Sequence, residues 1–162
     1  MPRITVVAHN IRSTHNVGSL FRTAEGFGVE KIILSGYTPY PTYGKDRRLP
    51  HESAKITAQI HKTALGAESL VPFEVIDNIH GWLTANRLPV IALEQDESSI
   101  PLSTFEPPER CVLLLGEEVH GVPKDILAHA DHIVEIPMVG QKESFNVSVA
   151  AGIALYALTT SK

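Results

Sequence analysis

Short runs of consecutive apolar residues recur along the chain and alternate with segments whose apolar residues keep helical spacing. Such runs are typical of strands that are covered on both faces of a parallel sheet. They predict six strands, at Ile4–Ala8, Lys31–Leu34, Phe73–Ile76, Pro89–Leu93, Cys111–Leu115 and His132–Ile136. Alternating strands and helices predict an α/β fold, with a mostly parallel six-stranded sheet flanked by helices.

The helical segments lie between these strands. The first has apolar residues at helical spacing from Val17 to Phe27, and Gly28 supplies its end. Three further helices are predicted, at Ser53–Leu65, at Ile79–Ala85 and directly after Pro123. The last helix is the clearest, because six of its residues form one stripe: Val147, Ala150, Ala151, Ala154, Leu155 and Leu158.

Length and composition narrow the class of protein. A chain of 162 residues makes one ordinary domain. Its single cysteine, Cys111, excludes an intrachain disulfide and a thiolate metal cluster, and the histidine spacing favours no metal site. Residues 1–9 do not have the pattern of a signal peptide, and no apolar run is typical of a membrane span. We therefore expect a soluble cytoplasmic protein without a metal ion.

The charge is unevenly distributed. Residues 1–62 contain nine Lys or Arg against four Asp or Glu, whereas residues 63–162 contain five against fourteen. The net charge of −4 argues against broad polyanion binding, but the basic front allows a local phosphate-binding face. The long loop Gly36–Pro50 combines Lys45, Arg47 and Arg48 with three tyrosines, which suits phosphate contact and base stacking. An ordinary solvated loop is the alternative interpretation.

Three polar turns follow predicted strands. The first covers Asn10–Arg22, where Asn16 is predicted to cap the first helix and Arg22 lies opposite its apolar stripe. The second is Leu115–Gly121, and the third is Ile136–Asn146. Ligands of open α/β sheets bind at the carboxyl ends of the strands, so these turns are expected to lie near one another. Each turn alone is also compatible with ordinary capping.

The same three turns carry a family resemblance. The stretches NIRSTHNVGSLFRTAEGFG, LLLGEEVHGVP and IPMVGQKESFNVSVAAGIALYAL resemble, in order and spacing, the three motifs of the SpoU/TrmH family of RNA 2′-O-methyltransferases, in the SPOUT class. The resemblance implies a C-terminal trefoil knot, which generic topology rules exclude, a homodimer, and S-adenosylmethionine (SAM) as methyl donor. The residues implied to hold SAM are Leu93, Leu115, Gly116, Ile136, Met138 and Phe145.

The resemblance also implies the catalytic residues. Arg22 matches the arginine that is assigned to activate the ribose hydroxyl, commonly across the dimer. The other polar positions of the family's site are matched by Asn16, Glu117, Ser144 and Asn146. Because arginine is normally protonated, Arg22 either acts as a base after losing its proton in the assembled site or acts as a cation that binds phosphate and stabilises the alkoxide.

Substrate selection is expected to come from the domain itself. We interpret residues 1–162 as a single methyltransferase domain without a separate RNA-binding extension, which slightly favours tRNA over rRNA as substrate. On charge alone, the hypothesised RNA-binding residues are Arg12, Lys45, Arg47 and Arg48. Two alternatives remain open: a non-catalytic module that binds RNA or nucleotides, and methylation of a base instead of the ribose.

Overall fold

Seven strands, all paired in parallel, form one sheet in the computed structural model, which describes residues 1–160. They are β1 (Arg3–His9), β2 (Lys31–Ser35), β3 (Phe73–Ile76), β4 (Val90–Leu93), β5 (Ile100–Pro101), β6 (Arg110–Leu115) and β7 (His132–Glu135). The α/β class and the parallel sheet are confirmed, but the count of six strands is wrong. The additional strand, β5, has only two residues, one of them proline, and pairs only with β7 at the edge of the sheet. It is too short to leave an apolar run in the sequence.

The strand order is β3-β2-β1-β6-β4-β7-β5. Strands β1 and β6 lie side by side near the centre, and nearly all of their residues are buried. This burial on both faces explains why their sequences are continuous apolar runs rather than alternating ones. Cys111 is the second residue of β6, where burial raises the pKa of its thiol to about 11, so the thiol stays protonated.

Among the described residues, five α-helices cover the two faces of the sheet. They are α1 (Thr14–Gly26), α2 (Pro50–Ala64), α3 (Ile79–Ala85), α4 (Lys124–Leu127) and α5 (Val147–Thr160). The larger core lies under α1, α2 and α5, and the smaller one under α3 and α4. Helix α2 begins three residues earlier than predicted, because the fixed φ of Pro50 suits a first helical position. Among residues 1–160, none of the helices is both long and apolar enough to cross a membrane.

Candidate active site

A chain of side-chain hydrogen bonds joins all three polar turns at the carboxyl edge of the sheet. The amide nitrogen of Asn16, on α1, donates to Glu118 Oε1 over 3.0 Å. The amide nitrogen of Asn146, at the start of α5, donates to Asn16 Oδ1 over 3.2 Å. Residues 102 and 130 positions apart in the chain thus share one polar site, as the parallel strands predict.

The N-terminus of α1 explains why the Asn16 side chain is available for these bonds. Ser13 is the N-cap, and its hydroxyl accepts a hydrogen bond from the Asn16 backbone N–H at 3.2 Å. The prediction that Asn16 itself caps the helix is therefore wrong. Because Ser13 satisfies the free backbone donor, the carboxamide of Asn16 bonds Glu118 and Asn146 at its two ends.

Glu118, and not the neighbouring Glu117, takes part in these hydrogen bonds. Its second oxygen accepts the backbone N–H of Arg12 at 3.3 Å. Partial burial alone would raise its pKa, but the hydrogen bonds from Asn16, Arg12 and Ser13 outweigh burial and lower it below the usual range. The carboxylate is thus held ionised as an acceptor that fixes the Asn16 amide.

Glu117 lies on the other side of the same turn. It accepts the hydroxyl of Tyr37 and contacts the ring of His120, and these two bonds lower its pKa. Its backbone pairs with Gly121 in a tight turn, with Glu117 N–H donating to the Gly121 carbonyl at 3.2 Å. This pairing sets which of two adjacent carboxylates faces Asn16. A sequence with two consecutive glutamates contains no signal for that choice.

A cleft with a volume of about 240 Å³ opens beside the hydrogen bonds that join Glu118, Asn16 and Asn146. All six residues predicted to hold a cofactor line it: Leu93, Leu115, Gly116, Ile136, Met138 and Phe145. Ser144 lines it as well, and so do five glutamates, which make the cleft both apolar and acidic: Glu94, Glu117, Glu118, Glu135 and Glu143. Within residues 1–160, no group of three metal-ligating side chains converges to hold a metal ion.

The floor of the cleft depends on close backbone contact. A Cβ on Gly116 would overlap the backbone of Gly121 and Val122, so only glycine allows the turn to close at this position. Glu94, at the end of β4, accepts the Val122 N–H at 2.9 Å. These contacts tie the turn after β6 to the end of β4 and position both beside the third turn.

Asn146 caps α5 as well as bonding Asn16. Its side-chain oxygen accepts the Ser148 N–H at 3.0 Å, and its carbonyl accepts the Ala150 N–H at 2.9 Å. A single residue thus fixes the start of α5 and connects it to α1. Ser144, two residues earlier, is exposed at the cleft.

Arg22 stands apart from the other predicted catalytic residues. It is exposed on α1 and lines neither the cleft nor the small pocket beside Asn16. Within the described part of the chain, no hydrogen bond or ion pair holds its guanidinium group. The structure therefore brings Asn16, Ser144 and Asn146 to one site but leaves Arg22 outside the cleft.

The basic loop after β2 is internally braced. The guanidinium of Arg48 pairs with the Asp46 carboxylate at 2.6 Å, donates to the Tyr40 carbonyl at 3.0 Å and lies 3.7 Å from the centre of the Tyr40 ring. Hydrogen bonds from Arg48 lower the pKa of Asp46 to about 2. Arg48 thus orders the loop, whereas Lys45 and Arg47 are exposed. The local sequence shows the three cations but not which one Asp46 neutralises.

Comparisons with known proteins identify the family of this chain. The family model described as the SpoU rRNA Methylase family matches residues 3–156. The chain is 30% identical over 157 residues to the 23S rRNA (guanosine-2′-O-)-methyltransferase RlmB of Neisseria meningitidis, covering 95% of this chain and 57% of that protein. The chain spans little more than half the length of the curated RlmB relatives that it matches.

Solved structures show the same fold. The A. aeolicus TrmH/SpoU tRNA modifying enzyme aligns with a TM-score of 0.77 and 26% identity, covering 98% of this chain and 75% of that one. The AdoMet-bound rRNA methyltransferase from Sinorhizobium meliloti aligns with a TM-score of 0.79 and 24% identity, covering 96% and 55%. Since the family model matches nearly the whole described chain, this protein belongs to the SpoU rRNA methylase family.

Proposed function

We propose that the chain is an RNA 2′-O-ribose methyltransferase that uses SAM. The observation that carries this proposal is the hydrogen-bonded chain of Glu118, Asn16 and Asn146 beside the cleft. It supplies oriented polar groups where a ribose hydroxyl would meet a methyl donor. Relatives whose names state guanosine 2′-O-methylation support the reaction type, and an AdoMet-bound structural neighbour supports the cofactor.

The cleft fits SAM chemically. Leu115, Ile136, Met138 and Phe145 offer apolar contact for an adenine ring, and residues 136–139 form neither helix nor strand, which leaves peptide groups for its polar edge. The cleft carboxylates suit a ligand that carries ammonium and sulfonium charges. When bound, SAM supplies an electrophilic methyl group on sulfur, and the sulfur leaves as a neutral thioether.

Residues of this protein are proposed to orient the ribose and to assist the loss of its 2′-hydroxyl proton. Asn16 is held at both ends by Glu118 and Asn146, so the direction of its second amide hydrogen is fixed, and we propose that this hydrogen is donated to the ribose hydroxyl. The 2′-hydroxyl must lose its proton as it attacks, and Arg22 is the group proposed to stabilise the resulting negative charge. Positioning supplies much of the rate in such a site. Neither role requires a metal ion.

We propose that the protein forms a homodimer, which would explain why Arg22 does not line the cleft of its own subunit. Helix α5 exposes large apolar side chains on one face, at Val149, Ile153 and Tyr156. Helix α1, which carries Arg22, packs against α5, with Phe27 and Tyr156 in edge contact at 6.4 Å. A second copy on this face covers the apolar stripe and lets each subunit's Arg22 complete the other's site.

Ile153→Asp is therefore expected to make the protein monomeric and to abolish methyl transfer, because a charge enters the centre of the apolar face. Ile153 is 37% exposed, and thermal melting of the variant checks that the subunit still folds. Sedimentation equilibrium measures the mass, and Leu70→Asp, at a residue 69% exposed outside α5, is the matched control. A dimeric Ile153→Asp protein would contradict the proposed interface.

We also propose the C-terminal trefoil knot. Strand β6 lies between β1 and β4, and β7 lies beyond β4, yet α5 returns to pack on α1. Leu115, at the end of β6, and Val147, at the start of α5, line one pocket. In the proposed knot, the segment 136–146 threads through the turn after β6 before α5 reaches α1. Threading through that turn is the path that brings Asn146 to Asn16.

The basic loop is the proposed RNA-binding surface, with Arg12 beside it. Lys45→Glu together with Arg47→Glu is expected to weaken RNA binding at least about 10-fold, and to reduce the slope of the salt dependence by about 0.7 for each phosphate that the variant no longer neutralises. Filter binding at several salt concentrations measures both effects. Arg87→Glu, an exposed arginine outside the loop, is the control. Unchanged RNA affinity in the loop variant would exclude this surface.

Arg48→Ala tests whether Arg48 orders the loop in addition to carrying a positive charge. Because Arg48 is paired with Asp46 and stacked on Tyr40, its removal is expected to increase protease cleavage within residues 36–49 before it affects binding. Limited proteolysis followed by mass spectrometry detects the change. Cleavage equal to that of the unaltered protein would contradict the bracing role of Arg48.

Transfer of labelled methyl groups from SAM to RNA tests the proposed function. The relatives' names include both rRNA and tRNA enzymes, so tRNA and rRNA fractions are assayed separately. Label in one fraction supports the proposal and identifies the substrate class. Absence of label in both fractions, with SAM binding measured by calorimetry, would instead favour a non-catalytic RNA-binding module.

A further inference from the structure

Tyr37 presents an aromatic ring at the rim of the candidate site. It follows β2 and is 50% exposed. Its hydroxyl donates to the carboxylate of Glu117, a residue that lines the cleft. Its backbone N–H donates to Asn10 Oδ1 at 3.1 Å. The ring is thus anchored from two directions while half of its surface meets solvent.

The turn that holds Tyr37 is unusually constrained. Asn10 has a φ of 58° and Gly36 a φ of 64°, both in the left-handed region. A Cβ on Gly36 would overlap the Asn10 side chain, so the turns after β1 and β2 fit against each other only with glycine here. Left-handed backbone at a residue other than glycine costs free energy and often occurs at functional sites. The strained turn fixes the position of Tyr37.

Tyr37 is also connected to the proposed ribose site. The guanidinium carbon of Arg12 lies 5.9 Å from the centre of the Tyr37 ring. The backbone N–H of Arg12 donates to Glu118, which in turn accepts from Asn16. An exposed ring, an exposed cation and the amide that orients the hydroxyl are therefore linked by consecutive contacts.

We propose that Tyr37 is the stacking surface for the base of the nucleotide that is methylated, with Arg12 contacting its phosphate. This inference rests on the proposed function. Unstacked RNA bases stack on aromatic side chains, and such contacts tolerate any base because every base has a π-face. Tyr37 accordingly holds the target nucleotide in place while other contacts determine which RNA is chosen.

Two substitutions at Tyr37 separate stacking from the hydroxyl contact. Tyr37→Leu removes the ring, and the KM for RNA in methyl transfer is expected to rise about 10- to 100-fold. Tyr37→Phe loses only the bond to Glu117 and is expected to restore the KM to within about threefold of the original, because the ring remains. Thermal melting and SAM affinity, measured for both variants, check whether the fold and the cleft remain intact.

A fluorescent RNA reports stacking directly. A short single-stranded RNA containing 2-aminopurine is expected to lose fluorescence on binding the original protein and Tyr37→Phe, but not Tyr37→Leu. A Phe variant as impaired as the Leu variant would overturn the proposal in favour of a role in holding Glu117. Unchanged KM in Tyr37→Leu would overturn it while leaving the proposed function intact. Failure of the original protein to methylate any RNA would overturn both.

Discussion

Arg22→Ala is expected to reduce methyl transfer at least about 100-fold, the cost of removing one group that stabilises developing charge. SAM affinity is expected to be unchanged, because Arg22 does not line the cleft and is proposed to act on the ribose hydroxyl, not on SAM. Single-turnover assays and calorimetry measure the two quantities. Glu25→Ala, an exposed charge on the same helix, is the matched control. Equal losses in both variants would mean that Arg22 has no special role.

Arg22→Lys separates charge from geometry. Lysine keeps the positive charge but loses the planar fork that contacts two oxygens at once. An intermediate rate is expected if Arg22 binds and stabilises as a cation. A rate as low as that of Arg22→Ala would instead favour the guanidine group itself as the proton acceptor.

Glu118→Gln is expected to lower kcat about 10- to 100-fold, because it removes a charged acceptor of two hydrogen bonds. Its new amide hydrogens also face donors on Asn16 and Arg12. Glu117→Gln is the matched variant one residue away, and it is expected to act mainly on the KM for SAM, because both glutamates line the cleft but only Glu118 accepts a hydrogen bond from Asn16. Steady-state kinetics with both substrates separate the two effects. The reverse pattern would return the catalytic role to Glu117.

Mixing the Arg22→Ala and Glu118→Gln variants, each impaired by itself, tests whether sites are shared between subunits. In a heterodimer of Arg22→Ala and Glu118→Gln, one site combines an intact cleft with the partner's intact arginine. Half of the dimers are mixed and each has one complete site, so about a quarter of the original activity is expected to return. No recovery after subunit exchange would place Arg22 and Glu118 in the same subunit's site.

The buried strands and the cleft were predictable from the sequence for a physical reason. Strands covered on both faces must be apolar throughout, and glycine-bounded turns after parallel strands must converge at one edge. The six cofactor residues lie in those turns, so their shared cleft follows from the topology.

The remaining details depend on contacts between distant residues. The capping role of Ser13 follows from where α1 begins, and this frees Asn16 for Glu118 and Asn146. The choice between Glu117 and Glu118 depends on the turn's pairing with Gly121. Strand β5 is defined by its two-residue pairing with β7 at the edge of the sheet. None of these contacts leaves a periodic pattern in the chain.

Nucleoside analysis of RNA methylated by this protein tests the central claim most directly. The RNA is digested to nucleosides after reaction with labelled SAM, and the labelled product is identified by mass spectrometry. We expect a single 2′-O-methylated nucleoside that disappears with Arg22→Ala. A nucleoside methylated on its base would contradict the assignment of the Glu118–Asn16–Asn146 chain as a ribose-hydroxyl site, and the absence of any methylated nucleoside would contradict the enzyme itself.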